Sequence, residues 1–165
     1  MTDALPPSIF NDVLGPVMRG PSSSHSAAAV RIGRVARALA GGRLDTVLLE
    51  LDPNGSLPTT FESHGSAIGI YGGLLGWEAD DPRLPDSRAA LEAAGIAFQL
   101  TVRAFGAKHP NTYRLTVTNR ELGAAHRLEA DSTGGGMIVV HRIDDTVLRW
   151  RCRKRGSCAA CWPVG

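Results

Sequence analysis

Two rhythms of apolar and polar residues run along the chain, and their alternation divides it into elements. Residues 19–39, "RGPSSSHSAAAVRIGRVARAL", open on small hydroxyl residues and continue as an alanine- and arginine-rich helix. In it Val30, Val35 and Leu39 are expected to face a core, while Arg31, Arg34 and Arg37 form a stripe expected to be solvated. "TVLLELD" (46–52) is a short run of strand formers, and "PNGSLPTT" (53–60) is punctuated by Pro, Gly and Ser and reads as a loop. In "GSAIGIYGGLLG" (65–76) the spacing of Ile68, Ile70, Tyr71, Leu74 and Leu75 suits a helix. Gly69, Gly72 and Gly73 each weaken it by about 1 kcal/mol, so it is expected to be buried, with glycines allowing close approach to another backbone.

"DDPRLPDSRAALEAAGI" (80–96) holds a further helix, with Asp86 or Ser87 able to cap its first turn and Gly95 to end it. Alternation as in half-buried strands then appears at 96–105 and 112–119, "MIVVHRI" (137–143) looks like a third strand, and "AHRLEA" (125–130) is a less regular one. One helix, a strand, two helices and a run of strands predict an α+β fold. The sheet is expected to be mixed or antiparallel, with helices packed on one face.

Composition narrows the class. At 165 residues, 43% hydrophobic and 21% charged, the chain has the size and make-up of one globular domain. A formal net charge of +2 gives no general reason to expect nucleic acid, and five of the seven residues from Arg149 to Arg155 are basic. No run approaches the roughly 20 apolar residues of a membrane span. The start lacks the basic and apolar regions of a signal peptide, so the cytoplasm is the expected location. All three cysteines, Cys152, Cys158 and Cys161, fall in the last segment, which argues against a disulfide framework.

The candidate chemistry lies at the start of the first helix. A helix N-terminus presents unpaired N–H groups and a partial positive charge. Ser22, Ser23 and Ser24 add hydroxyls, and Gly20 and Pro21 permit a sharp turn, a combination suited to a carboxylate or phosphate. His25 adds a group able to move a proton near neutral pH. By contrast, His109 in "KHPNT" reads as part of a turn, and His126 and His141 lie in strand-like segments without a chemical role. "STGGG" (132–136) has the composition of a phosphate loop but no following Lys-Ser/Thr. It reads as a bulge or a close backbone contact.

"SIFNDVLGPVMRGPSSSHSAAAVRIGRVARAL" strongly resembles the β region of the iron–sulfur-dependent L-serine dehydratases. "NGSLPTTFESHGSAIGIYGGLLGWEADDPRLPDS", "KHPNTYRLTV" and "DSTGGGMIVV" resemble further segments of that family, in the same order, from about Ser8 to about His141. The resemblance implies a β domain over 1–142 and a divergent, irregular tail over 143–165. It implies a fold like the substrate-sensing domain of some phosphoglycerate dehydrogenases. It also implies elimination of water from L-serine, giving pyruvate and ammonia, with a [4Fe–4S] cluster carried by a separate α region. This chain would then hold no metal ligand, would need an α subunit or domain as partner, and would leave a surface expected to drive homo-oligomer formation.

On the same analogy Ser22, Ser23, Ser24 and Ser26 bind the substrate, and His64, His25 and Ser66 are catalytic, with His64 first for proton transfer and His25 second. Four departures from the family pattern accompany these assignments. Ser26 and Ser66 replace threonines and keep the hydroxyl. Ser63 replaces a glycine. Ala67 replaces an aspartate that could orient the neighbouring imidazole, a change that can cost orders of magnitude in rate. Two other readings are a non-catalytic module that binds serine or a similar small acid, and a metalloprotein using the Cys-x5-Cys-x2-Cys tail.

Overall fold

The computed structural model describes residues 23–151. Helix α1 (Ser23–Leu39) is followed by β1 (Thr46–Leu51), α2 (Leu57–Thr60), α3 (Ser66–Leu74), a 3-10 turn (Leu84–Asp86) and α4 (Ser87–Ala93). The strands β2 (Ala97–Val102), β3 (Thr112–Asn119), β4 (Ala124–Gly134), β5 (Met137–Ile143) and β6 (Thr146–Arg151) complete it. They form one open six-stranded sheet in the order β2-β1-β3-β4-β5-β6. β2 runs parallel to β1 and every other neighbouring pair is antiparallel, so the sheet is mixed and the fold is α+β as expected.

Alternation decides which face is covered. Val47, Leu49 and Leu51 of β1 stand in register with Val117, Leu115 and Tyr113 of β3, and all six are buried. Leu128 and Ala130 of β4 and Ile138 and Val140 of β5 extend the same core. Ala28, Ala29, Ile32 and Ala36 of α1 and Ala67, Ile70 and Leu74 of α3 close it. β2 is an edge strand whose Leu100 and Val102 remain exposed.

Four local expectations are revised. The segment read as a loop contains a helical turn, α2, because the Ser56 carbonyl accepts the hydroxyls of Thr59 and Thr60 and Pro58 suits a helix start. Asp86 occupies the N-cap of α4 without a side-chain cap bond, and Ser87 Oγ instead donates to the Ile68 carbonyl, tying α4 to α3. The arginine stripe is not simply solvated. Arg31 donates to the Gly136 carbonyl (3.0 Å), Arg37 to the Leu74 carbonyl (3.0 Å), and Arg34 pairs with Glu78. Finally, the sheet continues past residue 143 into β6, where an irregular tail was expected. The Thr-Val-Leu-Arg-Trp-Arg alternation there is masked by basic residues when read from sequence.

Glycines set the packing of α1 on α3. A Cβ at Gly69 would collide with the Ser26 carbonyl, one at Gly73 with the Val30 carbonyl, and one at Gly33 would lie 2.7 Å from the Ile70 carbonyl. The two helices therefore run side by side at backbone contact, which offsets the intrinsic weakness of a glycine-rich helix. The close approach anticipated from sequence is the seam that brings their N-termini together.

Candidate active site

The N-termini of α1 and α3 point the same way and meet at the end of the sheet where β1 finishes and β3 begins. Ser23 and Ser24 are the first two residues of α1, and His25 and Ser26 follow. Ser22 lies outside the described residues. Gly65 precedes α3 in the left-handed region (φ 74°), a conformation that lets the chain turn sharply from the exposed His64 into the buried Ser66. A Cβ on Gly65 would stand 2.5 Å from Ser26 Oγ, so no side chain fits between the two segments. The result is that the His25 and His64 rings lie edge to face, with centroids 5.3 Å apart and planes at 62°.

The two serines are buried more deeply than the two imidazoles. Ser26 is 1% exposed and Ser66 is 0% exposed, whereas His25 is half-buried and His64 exposed. No side chain caps α3, so its first turn keeps the positive end of the helix toward this site. The segment is held from behind: the His64 N–H donates to the Thr60 carbonyl (2.9 Å) and the Ala67 N–H to the Phe61 carbonyl (3.0 Å). Ser63 has negative φ, so the loop closes without the glycine usual in the family. Ala67 is buried in the hydrophobic core and offers His64 no carboxylate.

The remaining quoted segments converge on the same end and serve as its scaffold. Ser56 Oγ donates to Asn111 Oδ1, and the Ser56 N–H donates to the Pro110 carbonyl (2.9 Å), locking Asn-Gly-Ser onto His-Pro-Asn. His109 Nδ1 accepts the Asn111 N–H (3.1 Å), the turn role expected of it. His141 pairs with Asp131, whose other oxygen accepts the Thr112 hydroxyl (2.7 Å), whereas His126 pairs with Asp144 toward the opposite end of β4. The Ser-Thr-Gly-Gly-Gly run forms the β4–β5 turn, with a register shift at Ser132/Gly134, the bulge anticipated from its composition.

Two residues of this region were missed in the sequence. Asp52 accepts the N–H groups of Asn54 (3.0 Å), Phe105 (3.0 Å) and Ala107 (3.2 Å), which hold its carboxyl down at about 2. Its signal was Asp-Pro-Asn, an Asx turn in which the side chain bonds the backbone two residues on. Tyr113 is fully buried on β3, and that burial pushes its phenol up to about 12 against the opposing effect of the Ser66 hydroxyl. In sequence it reads only as one more apolar position of a strand.

Among the described residues, no three His, Cys, Asp or Glu side chains converge as metal ligands. Cys152, Cys158 and Cys161 lie outside the described residues. The described residues therefore offer no set that fits a metal cluster. No helix among them is long and apolar enough to cross a membrane.

No protein-family model matches the chain. It is 38% identical over 142 residues to the probable L-serine dehydratase, beta chain, of Bacillus subtilis (strain 168). It is 33% identical over 141 residues to the L-serine dehydratase, beta chain, of Peptoniphilus asaccharolyticus. These matches take in 86% and 85% of this chain but 62% of each relative, so the chain spans less than two thirds of the relatives' length.

Proposed function

As the chain is a homologue of L-serine dehydratase beta chains, we propose that it is the β component of an iron–sulfur L-serine dehydratase, forming one wall of an active site that an α chain completes. The observation that carries this reading is the contact of His25, in the first turn of α1, with His64, just before the start of α3. The reaction is removal of the Cα proton, formation of the Cα=Cβ bond and departure of the β-hydroxyl. The resulting enamine tautomerises and hydrolyses to pyruvate and ammonia.

In this assignment the substrate carboxylate lies against the helix N-termini, where their partial positive charge and Ser22, Ser23, Ser24 and Ser26 receive it. His64, exposed at the rim, takes the Cα proton. His25, 5.3 Å away between ring centroids, is the second imidazole and passes the proton on. Ser66 bonds the departing hydroxyl. A [4Fe–4S] cluster on the α chain supplies a Lewis-acid iron for that hydroxyl. None of the described residues of this chain is assigned to hold it.

The test is reconstitution. The full chain is mixed with a cluster-bearing α chain, and pyruvate formed from L-serine is measured. The reading requires turnover by the complex. Absence of pyruvate from a folded complex with an intact cluster would overturn it. One observation favours a second reading, a non-catalytic module that binds serine and regulates a partner: Ala67 faces the core where the family carries an aspartate. That reading predicts serine binding by the same complex without pyruvate.

A further inference from the structure

Among the described residues, two buried side-chain polar atoms lack a hydrogen-bond partner, Ser66 Oγ and Tyr113 Oη. Both residues are 0% exposed. Leaving a buried hydroxyl unsatisfied is destabilising, and a phenylalanine at 113 would fill nearly the same volume without that cost. The two hydroxyls are also close enough to interact, since the Ser66 hydroxyl opposes the effect of burial on the Tyr113 phenol. Neither completes a hydrogen bond of good geometry.

Both partners are held firmly. Tyr113 is in register with Leu51 on one side and Ala130 on the other, and its neighbour Thr112 is bonded to Asp131 Oδ1 and to the His109 carbonyl. Ser66 opens α3 directly after the Gly65 turn that abuts Ser26. A phenol pushed up to about 12 remains protonated across the neutral range, so toward Ser66 it acts as a donor. A serine oxygen that accepts one hydrogen bond has its own O–H left to give, and His64 stands two residues before Ser66, across the Gly65 turn.

We propose that Tyr113 is a positioning residue: by donating to Ser66 Oγ it fixes the Ser66 hydroxyl as a hydrogen-bond donor to the small polar ligand held beside His25 and His64. This rests on the reading of the site as an L-serine dehydratase centre, with the substrate's β-hydroxyl as the acceptor. The two orphan hydroxyls are then satisfied together when ligand binds, which is why the interior keeps both.

Tyr113→Phe, Ser66→Ala, the double variant and Ser66→Thr are made in the full chain and combined with the cluster-bearing α chain. L-serine binding is measured by calorimetry, turnover by pyruvate release, and stability by thermal unfolding. Tyr113→Phe and Ser66→Ala each weaken L-serine binding and lower kcat/KM by about tenfold, the double variant loses no more than the worse single, and Ser66→Thr restores the wild-type values. Thermal stability of Tyr113→Phe is equal to or above that of the wild type, because an orphan hydroxyl is removed. Unchanged serine binding in Tyr113→Phe, or losses that multiply in the double variant, would overturn the proposal. So would a fall in stability with binding intact. A wild-type complex that binds L-serine without forming pyruvate overturns the assigned reaction alone. One that neither binds nor turns over overturns both.

Discussion

Asp52 shows how a single carboxylate can hold a loop in place. Its oxygens accept three backbone N–H groups, two of them from the 103–108 segment, whose Phe105 ring lies under the Arg114 guanidinium at 3.9 Å. The folded chain holds this carboxyl at about 2, below its ordinary 3.8, so its contribution to stability is complete above pH 3.8 and is lost as pH falls toward 2. The amide signals of Phe105 and Ala107 are expected to titrate with a midpoint near 2 in an NMR pH series. A midpoint near 3.8 would mean that the bonds are not held in solution. At this scale the candidate site was partly legible: serines and a histidine crowded at a helix start mark it out as a candidate by themselves, and His64 and Ser66 came from the family resemblance. Tyr113 was not legible, because what distinguishes it is a hydroxyl buried without a hydrogen-bond partner among the described residues. Strand alternation records only that the residue faces inward.

Among the elements, the α1–α3 seam decides the geometry of the site. Gly73→Ala would drive a methyl into the Val30 carbonyl, which is backbone and cannot yield without moving a helix. A loss of about 1–3 kcal/mol is expected in urea unfolding. Gly72→Ala meets the end of the Leu84 side chain instead, which can rotate away, and the gain in helix propensity makes that variant neutral or slightly stabilising. Equal losses in the two variants would mean that the seam is not the tight contact described. The elements were legible where one period dominated. The alternation at 112–119 is β3 and the apolar-rich run at 137–143 is β5, both to the residue, and the glycine-rich helix is buried as its pattern required. α2 was hidden because Pro and Ser read as loop residues until the Ser56 carbonyl collects two threonine hydroxyls. β6 was hidden because its pairing with β5 is a long-range property that its basic residues obscure.

Taken whole, the molecule gathers its candidate site residues at one end. The helix N-termini, the α2 turn, the His-Pro-Asn loop and the β4–β5 turn gather there. Arg37, Arg43, Asp45 and Gly95 line a separate groove of about 360 Å³ between the last turn of α1 and the start of β1 and β2. An α chain that completes the site must cover the first end, so hydrogen exchange in the complex is expected to slow at 23–26, 64–69 and 134–137. Exchange at 42–45 and 94–96, where Gly42, Asp45 and residues 94–96 are already hydrogen-bonded, is expected to be unchanged by the partner, and further slowing there would place the partner on the wrong end. The central claim is that His25 and His64 work as one unit in removing water from L-serine, and pyruvate release by the reconstituted complex tests it directly. His25→Ala and His64→Ala are each predicted to lower kcat by about a hundredfold or more, with the double variant no slower than the worse single. Full rates in both single variants, or losses that multiply in the double, would contradict it.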